Sequence, residues 1–329
     1  MTGGRDPICE LLTTYAELNS QIVEELEGEP SPLEFMRYVA RNSPFVVRGG
    51  AASWAACQAW DACYLQDLLS EQTVNVAVTP LGNADSCTEH SDYGLVFAKP
   101  WEEDQPFSDF LQYVIRQETD PSFPPDSEVR YAQTQNDNLR HEYISLFSQV
   151  QRDIPFARIA LDREPDAINL WIGNSRSHTA LHKDNYENVY VQILGQKNFV
   201  LMPPACQPCV NEQLLKPATY RRVGSSLELE LDDNANSFVP FATWDPDKPN
   251  ENATEYSVLA RPVRVTLEPG DMLYLPAMWY HKVSQSCSGE GICVAVNYWY
   301  DMEFSGPLYP FGEFVRSVYM KSTTTPNGL

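Results

Sequence analysis

Two histidines and one aspartate in this chain have the types and the order needed to hold a single metal ion. His182 and Asp184 are separated by one residue, and His281 comes much later, after a strand-like segment and a proline. Two imidazoles and one carboxylate can occupy one face of an octahedral metal and leave three positions open, as in non-haem Fe(II) oxygenases. A His-x-Asp tripeptide alone is weak evidence, but a late strand can bring His281 across a barrel to the earlier pair. We therefore expect an iron site and an oxygenase.

A second set of residues could bind a dicarboxylate beside such a metal. Thr179 lies three residues before His182, and Lys197 lies fifteen residues after it, at a Gly-Gln-Lys turn between two apolar segments. An ammonium and a hydroxyl deep in a barrel suit the far carboxylate of a dicarboxylate. His178 is the rival of His182 as a ligand, because strand side chains four residues apart point the same way. We prefer His182, whose face Asp184 shares, and leave a contribution from His178 open.

The composition limits the class of partner. The chain has 329 residues, 43% of them hydrophobic, which is enough for a substantial core. Its 23 Lys and Arg against 45 Asp and Glu give a formal charge of −22. Such a charge argues against nucleic acid and anionic membranes as partners and favours a basic one.

The sequence also indicates a cellular compartment. No apolar stretch is long enough to cross a bilayer, and the first residues lack a secretory pattern. The eight cysteines are scattered along the chain, which suits reduced thiols. We expect a protein of the cytoplasm, and also of the nucleus.

Residues 1–129 are expected to form a helical region with a few strands that packs on a barrel. A periodic apolar pattern predicts an amphipathic helix over residues 8–27. Ser31 and Glu34 form a capping box with Pro32 at the first helical position, which predicts the start of a second helix.

From about residue 130 the pattern changes to short strands separated by turn residues. It predicts a mainly β fold with flanking helices, a double-stranded β-helix of the jelly-roll and cupin kind, over residues 130–304. The acidic, Pro- and Asn-rich residues 227–255 are expected to form a surface loop inserted between core strands. Residues 305–329 are expected to form a C-terminal helix and a polar tail.

Several segments together resemble the JmjC family of Fe(II)- and 2-oxoglutarate-dependent oxygenases, and within it a small subgroup of lysyl hydroxylases. The resemblance runs from about residue 31 to residue 304, and His-Lys-Asp followed by Tyr-Glu-Asn is specific to the subgroup. The matching segments are residues 76–80, 169–173, 181–188, 217–220, 270–281 and 295–303.

The resemblance implies roles for eight residues. The iron ligands are implied to be His182, Asp184 and His281. The residues around the cosubstrate 2-oxoglutarate are implied to be Thr179, Lys197 and Tyr131 at its far carboxylate, and Asn188 and Asn297 near its other carboxylate.

The resemblance also implies an activity and partners. Fe(II), 2-oxoglutarate and O₂ would serve hydroxylation of a basic side chain, a lysine, in a protein substrate. The subgroup acts on developmentally regulated GTP-binding proteins linked to translation, and its members dimerise through C-terminal helices, which here implies a homodimer through residues 307–320. Three alternatives stay open: a lysine demethylase, a catalytically silent cupin-fold binding module, and a zinc-loaded peptidase.

Overall fold

The computed structural model describes residues 6–233 and 237–324. Within these ranges the chain forms seven α-helices and 18 strands. The helices are α1 (Pro7–Leu18), α2 (Pro32–Arg41), α3 (Ala55–Ala59), α4 (Ala62–Leu68), α5 (Phe107–Thr119), α6 (Pro155–Leu161) and α7 (Leu308–Thr324). The strands are β1 (Glu24–Leu26), β2 (Phe45–Val47), β3 (Thr73–Thr79), β4 (Ser86–His90), β5 (Gly94–Lys99), β6 (Trp101–Pro106), β7 (Val129–Tyr131), β8 (Ala167–Gly173), β9 (Thr179–Lys183), β10 (Tyr186–Leu194), β11 (Gln196–Met202), β12 (Glu212–Val223), β13 (Ser226–Leu231), β14 (Val239–Ala242), β15 (Val263–Leu267), β16 (Met272–Leu275), β17 (Tyr280–Ser286) and β18 (Cys293–Asp301).

Two sheets enclose the core of a barrel. The larger sheet has the order β1-β2-β16-β10-β18-β8, and the smaller has the order β15-β11-β17-β9. Alternate side chains of both sheets point into the space between them, and Tyr190 and Leu273 of the larger sheet pack in one cluster with Phe199 and Val283 of the smaller. The expected double-stranded β-helix is confirmed.

Helices cover the outer face of the larger sheet. The ring of Phe35 on α2 lies 4.7 Å from that of Tyr274 on β16 and 5.1 Å from that of Phe156 on α6, measured between centroids. The predicted capping box is present at the start of α2, where the Glu34 carboxylate accepts the backbone N–H of Ser31 at 2.8 Å. This apolar packing stabilises the sheet through its outer face, so that polar side chains can be accommodated on its inner face.

The first 129 residues contain more strand than the sequence predicted. Strands β3, β6 and β7 form a sheet of their own, while β4 and β5 join β12 and β13. Strand β2 pairs with β16, and β1 pairs with β2, so both extend the larger barrel sheet. The proposed boundaries at residues 129 and 304 stay predictions.

The predicted helix over residues 8–27 is wrong beyond Leu18. There α1 ends, and the Asn19 side-chain amide donates to the Tyr15 carbonyl at 2.9 Å. Leu18 and Ile22, which extended the apolar period, are 79% and 76% exposed. Since they have no core to pack against, periodicity alone could not continue the helix, and the chain turns into β1.

The expected loop over residues 227–255 is also wrong in part. Strand β13 pairs with β12 along Ser226–Leu231, and β14 pairs with another part of β12. The Leu-Glu alternation in β13 is a strand pattern of period two, and this signal outweighs the acidic composition. Residues 234–236 lie outside the described residues.

The expected C-terminal helix is present as α7. Val315 and Tyr319 are 3% and 6% exposed, which anchors one side of this helix to the body of the protein. The polar tail, residues 325–329, lies outside the described residues. In the described ranges, no helix combines the length and the apolar character that crossing a bilayer requires.

Candidate metal centre and cosubstrate cavity

The pairing of β9 with β17 brings the two predicted histidine ligands together. His182 lies directly opposite His281 in this antiparallel pair, and the centroids of their rings are 4.1 Å apart. Asp184 follows the last residue of β9, and its carbonyl accepts the Met278 N–H at 2.7 Å. Because residues two apart on an extended chain share a face, Asp184 lies on the same side as His182.

The three side chains converge on one point. Oδ2 of Asp184 lies 3.6 Å from Nε2 of His182 and 3.7 Å from Nε2 of His281. One ligand atom from each residue lies within 4.8 Å of the others. Ligand atoms placed about 2.1 Å from one ion are separated by about 3 to 4 Å, so this donor set fits a divalent metal with open positions.

Backbone carbonyls orient both imidazoles. Nδ1 of His182 lies 2.8 Å from the Ala180 carbonyl, and Nδ1 of His281 lies 3.0 Å from the Trp279 carbonyl. Since a carbonyl can only accept, each Nδ1 carries a proton, and the Nε2 of the neutral imidazole then keeps the lone pair that binds a metal. A metal-binding histidine is usually held in this tautomer by such a bond on its other nitrogen.

The charges of the three ligands suit metal binding. Burial lowers the pKa of His281 to about 4, so this imidazole is neutral at physiological pH. Burial acts to raise the pKa of Asp184, but the charge of His182 and its hydrogen bond outweigh burial and lower it to about 2. Burial also acts against the charged form of His182, yet the Asp184 carboxylate raises its pKa above the ordinary value. The ionised Asp184 and the neutral His281 are in the forms that bind a metal, and metal binding at His182 would release the proton that Asp184 favours there.

A cavity next to the three ligands contains most of the predicted cosubstrate residues. Thr179, Tyr131, Asn188 and Asn297 line it together with the metal-binding side chains. Asn297 donates to the Asn188 side chain at 3.2 Å, so the two amides form one polar patch on the larger sheet. The structure therefore brings these residues together, while their roles in binding stay predictions.

Lys197 provides the strongest sign that an anion belongs in this region. Lys197 is 3% exposed, and its Nζ donates to the Tyr131 hydroxyl at 2.8 Å. Burial acts to lower its pKa, but Tyr131 and Tyr190 outweigh burial and raise it, which keeps the ammonium charged. Among the described residues, no carboxylate lies within 4 Å of this nitrogen. A buried charge without a counter-ion is costly, so an anionic ligand fits here.

Aromatic side chains form part of the cavity wall. Trp171, Tyr190 and Trp299 line the same cavity, and the Trp171 indole donates to the side-chain amide oxygen of Asn297 at 2.9 Å. Tyr190 lies two residues after Asn188, and Trp299 lies two after Asn297, so each pair shares an inward face. Trp171 and Tyr190 were not predicted from the sequence as wall residues, and the period-two rule for strands could have found Tyr190.

The structure places His178 apart from the metal-binding group. It lies just before β9, its Nδ1 is 3.4 Å from the Arg176 carbonyl, and its backbone N–H donates to the Gly82 carbonyl at 2.9 Å. In the described ranges, the group that meets the distance condition for a metal contains His182, Asp184 and His281 without His178.

Comparisons with known proteins agree with this geometry. The model of a family described as a cupin-like domain matches residues 30–306. The bifunctional peptidase and (3S)-lysyl hydroxylase JMJD7 of Homo sapiens is 36% identical over 283 residues, covering 86% of this chain and 85% of that protein. The lysine-specific demethylase JMJ32 of Arabidopsis thaliana is 34% identical over 313 residues, covering 92% of this chain and 88% of that protein. JmjC domain-containing protein E of Dictyostelium discoideum is 30% identical over 351 aligned positions, covering 97% of this chain and 98% of that protein.

Metal binding should depend on Asp184 and not on His178. We expect Asp184→Ala to weaken Mn(II) binding at least about 100-fold, because the carboxylate supplies one of three protein ligands and the negative charge. His178→Ala is the matched control and should bind Mn(II) as the wild type does. Isothermal titration calorimetry measures both, and an equal loss in the two variants would contradict the assignment.

Lys197→Met should weaken 2-oxoglutarate binding at least about 100-fold, because it removes the buried ammonium that fits the far carboxylate. The thermal unfolding temperature of the ligand-free variant should not fall, since a desolvated charge is replaced by an apolar side chain of similar size. Lys216→Met, on the exposed part of β12, is the control. The affinity is measured by titrating the metal-loaded proteins with 2-oxoglutarate. Wild-type affinity in Lys197→Met would contradict the assignment of Lys197 to the far carboxylate.

Proposed function

This chain belongs to the cupin-like JmjC family and is a dioxygenase dependent on Fe(II), 2-oxoglutarate and O₂, and on that premise we propose that it hydroxylates lysyl residues of a protein. The human relative at 36% identity is named a (3S)-lysyl hydroxylase. The convergence of His182, Asp184 and His281 beside an uncompensated buried ammonium is the observation that carries the proposal.

Residues of this chain have separate tasks in such a reaction. When bound, Fe(II) supplies the oxidation of a substrate C–H bond by O₂, coupled to the conversion of 2-oxoglutarate to succinate and CO₂. His182, Asp184 and His281 would hold the ion. Lys197 and Tyr131 bind and orient the far carboxylate of the cosubstrate. Apolar and aromatic walls exclude water, so the reactive atoms meet only the side chain that is positioned there.

The substrate is a protein, and we propose that the reacting side chain is a lysine. A chain with a formal charge of −22 attracts basic segments and repels acidic ones. Developmentally regulated GTP-binding proteins linked to translation are the leading candidates, since the resemblance to the lysyl hydroxylase subgroup points to them.

Lysine demethylation is the second candidate function. The Arabidopsis relative named as a lysine-specific demethylase covers 92% of this chain at 34% identity. The same iron chemistry acting on an N-methyl group removes that carbon, so the metal ligands cannot discriminate the two reactions. The two reactions differ in the position of the oxidised carbon relative to the lysine nitrogen.

We expect lysyl peptides from the GTP-binding candidates to gain about 16 Da, the mass of one oxygen, when incubated with Fe(II), 2-oxoglutarate and ascorbate. Mass spectrometry distinguishes this gain from the loss of about 14 Da that methyl-lysine peptides show on demethylation. Succinate formation is measured in parallel, with His182→Ala as the inactive control. Wild type as inactive as this control on every peptide would favour a silent binding module, and loss of methyl groups alone would favour the demethylase.

We also propose that the protein is a homodimer through α7. Phe311 and Phe314, one helical turn apart on this helix, are 40% and 66% exposed. Exposed aromatic side chains on one face suit a self-complementary contact. Phe314→Glu should shift the sedimentation coefficient from dimer to monomer, whereas Val258→Glu, at another exposed apolar site, should not. A wild type that sediments as a monomer would refute the homodimer.

A cytoplasmic and nuclear location completes the proposal. All eight cysteines are unpaired, which suits a reducing compartment. Cell fractionation tests the location, and recovery in the secreted fraction would contradict it.

A further inference from the structure

A broad cleft adjoins the metal centre. Its lining includes the ligand His182 and also Thr179, which belongs to the cosubstrate cavity as well. Its other walls include residues from β5, β6, β12, β14, β17 and α7 and from the segments before β4 and after β7. Because the cleft and the cavity share residues at the metal centre, a substrate side chain in this cleft lies next to the site of oxidation.

The charges in the cleft are balanced at one end. Glu212, Glu313, Arg316 and Lys183 belong to this end. Arg316 Nε donates to Glu212 at 2.5 Å, and Arg316 also lies 4.0 Å from the Glu313 carboxylate. The Lys183 ammonium lies 5.5 Å from the centre of the Tyr280 ring. Two cations therefore face two carboxylates, and no charge is left over for a ligand.

At the other end, two carboxylates have no ion-pair partner among the described residues. Asp85 and Glu102 both line the cleft, and in the described part of the chain neither has a Lys or Arg nitrogen within 4 Å. Lys99, whose charge acts on Asp85 from a distance, is bound to Asp232 at 2.5 Å instead. Burial and the charge of Glu102 raise the pKa of Asp85, as expected for a half-buried carboxylate without a counter-ion.

The backbone holds Asp85 in place relative to the metal ligands. The Gln133 amide donates to its carboxylate at 3.4 Å, and Asp85 has a left-handed backbone with φ of 52°. The preceding turn is tied to the start of β9, because the Gly82 carbonyl accepts the His178 N–H at 2.9 Å. A Cβ at Gly82 would lie 2.0 Å from the Arg176 carbonyl oxygen, so this close approach requires glycine. The carboxylate is thus preorganised beside β9.

We propose that Asp85, assisted by the more exposed Glu102, binds the ammonium group of the substrate lysine and thereby determines specificity for it. This inference rests on the proposed lysyl hydroxylase function and deepens it. In lysine, four bonds separate the nitrogen from carbon 3, the position in the name of the human relative. An ion pair at the ammonium and contacts to the peptide backbone would fix that carbon from both sides, and fixed geometry decides which C–H bond reacts.

The test is a double-mutant cycle between Asp85→Asn and the substrate lysine. Asparagine tolerates the left-handed backbone as aspartate does, so the substitution removes charge without adding strain. The probes are a lysyl peptide that the wild type hydroxylates and the same peptide with norleucine, which keeps the carbon chain and lacks the charge. Glu89→Gln, an equal charge change at an exposed position on β4, is the matched control.

We expect Asp85→Asn to lower kcat/KM for the lysyl peptide about 10- to 100-fold, mainly by raising KM, and to leave the norleucine peptide unchanged. Glu89→Gln should match the wild type on both peptides, and the 2-oxoglutarate affinity should be the same in all three proteins. Equal kcat/KM for the lysyl peptide in Asp85→Asn and wild type would overturn the inference about Asp85 and leave the proposed function intact. An equal loss on both peptides would also overturn it, because it would mean a structural role. If the wild type hydroxylates no lysyl peptide, the proposed function fails first and the inference falls with it.

Discussion

The antiparallel contact between β9 and β17 is the constraint on which the active centre depends. It sets His182 opposite His281, and the turn of the chain after β9 adds Asp184 to the same point. A slip of one residue in this register would turn the imidazole of one strand away from the other. The register is held on the far side by β11, which pairs with β17 over seven residues from Gln196 to Met202. The iron chemistry is thus a consequence of sheet pairing, and the ligands need no flexible loop to find each other.

Polar groups in the barrel show that the interior is built for ligands at some cost in stability. The charged Lys197 is almost fully buried with a phenol as its partner, and Asn188 and Asn297 face inward among aromatic side chains. Apolar residues at these positions would fill the same space with less desolvation. Their presence makes sense when the dianionic cosubstrate supplies the missing charge, and binding would then stabilise the folded state.

The sequence allowed the chemistry to be predicted better than the elements that deliver it. The types and order of His182, Asp184 and His281 pointed to a metal, and the structure brings these three together. Strands β9 and β17, which carry the histidines, were not predicted, because short segments of mixed polarity lack both a β-branched run and a clear alternation. Asp85 could not be found from the sequence either. Its place beside β9 depends on a turn whose close approach to Arg176 is a tertiary contact.

The pairing of β2 with β16 has a consequence for how the molecule is made. Phe45, Val46 and Val47 are at most 1% exposed, and the strand that pairs with one edge of β2 begins only at Met272. During synthesis on the ribosome, β2 cannot pair with β16 until most of the polypeptide has emerged. Until then this edge of β2 is open to association with other chains. Such a high contact order slows folding. A fragment without the first 47 residues would expose the edge of β16 in the same way.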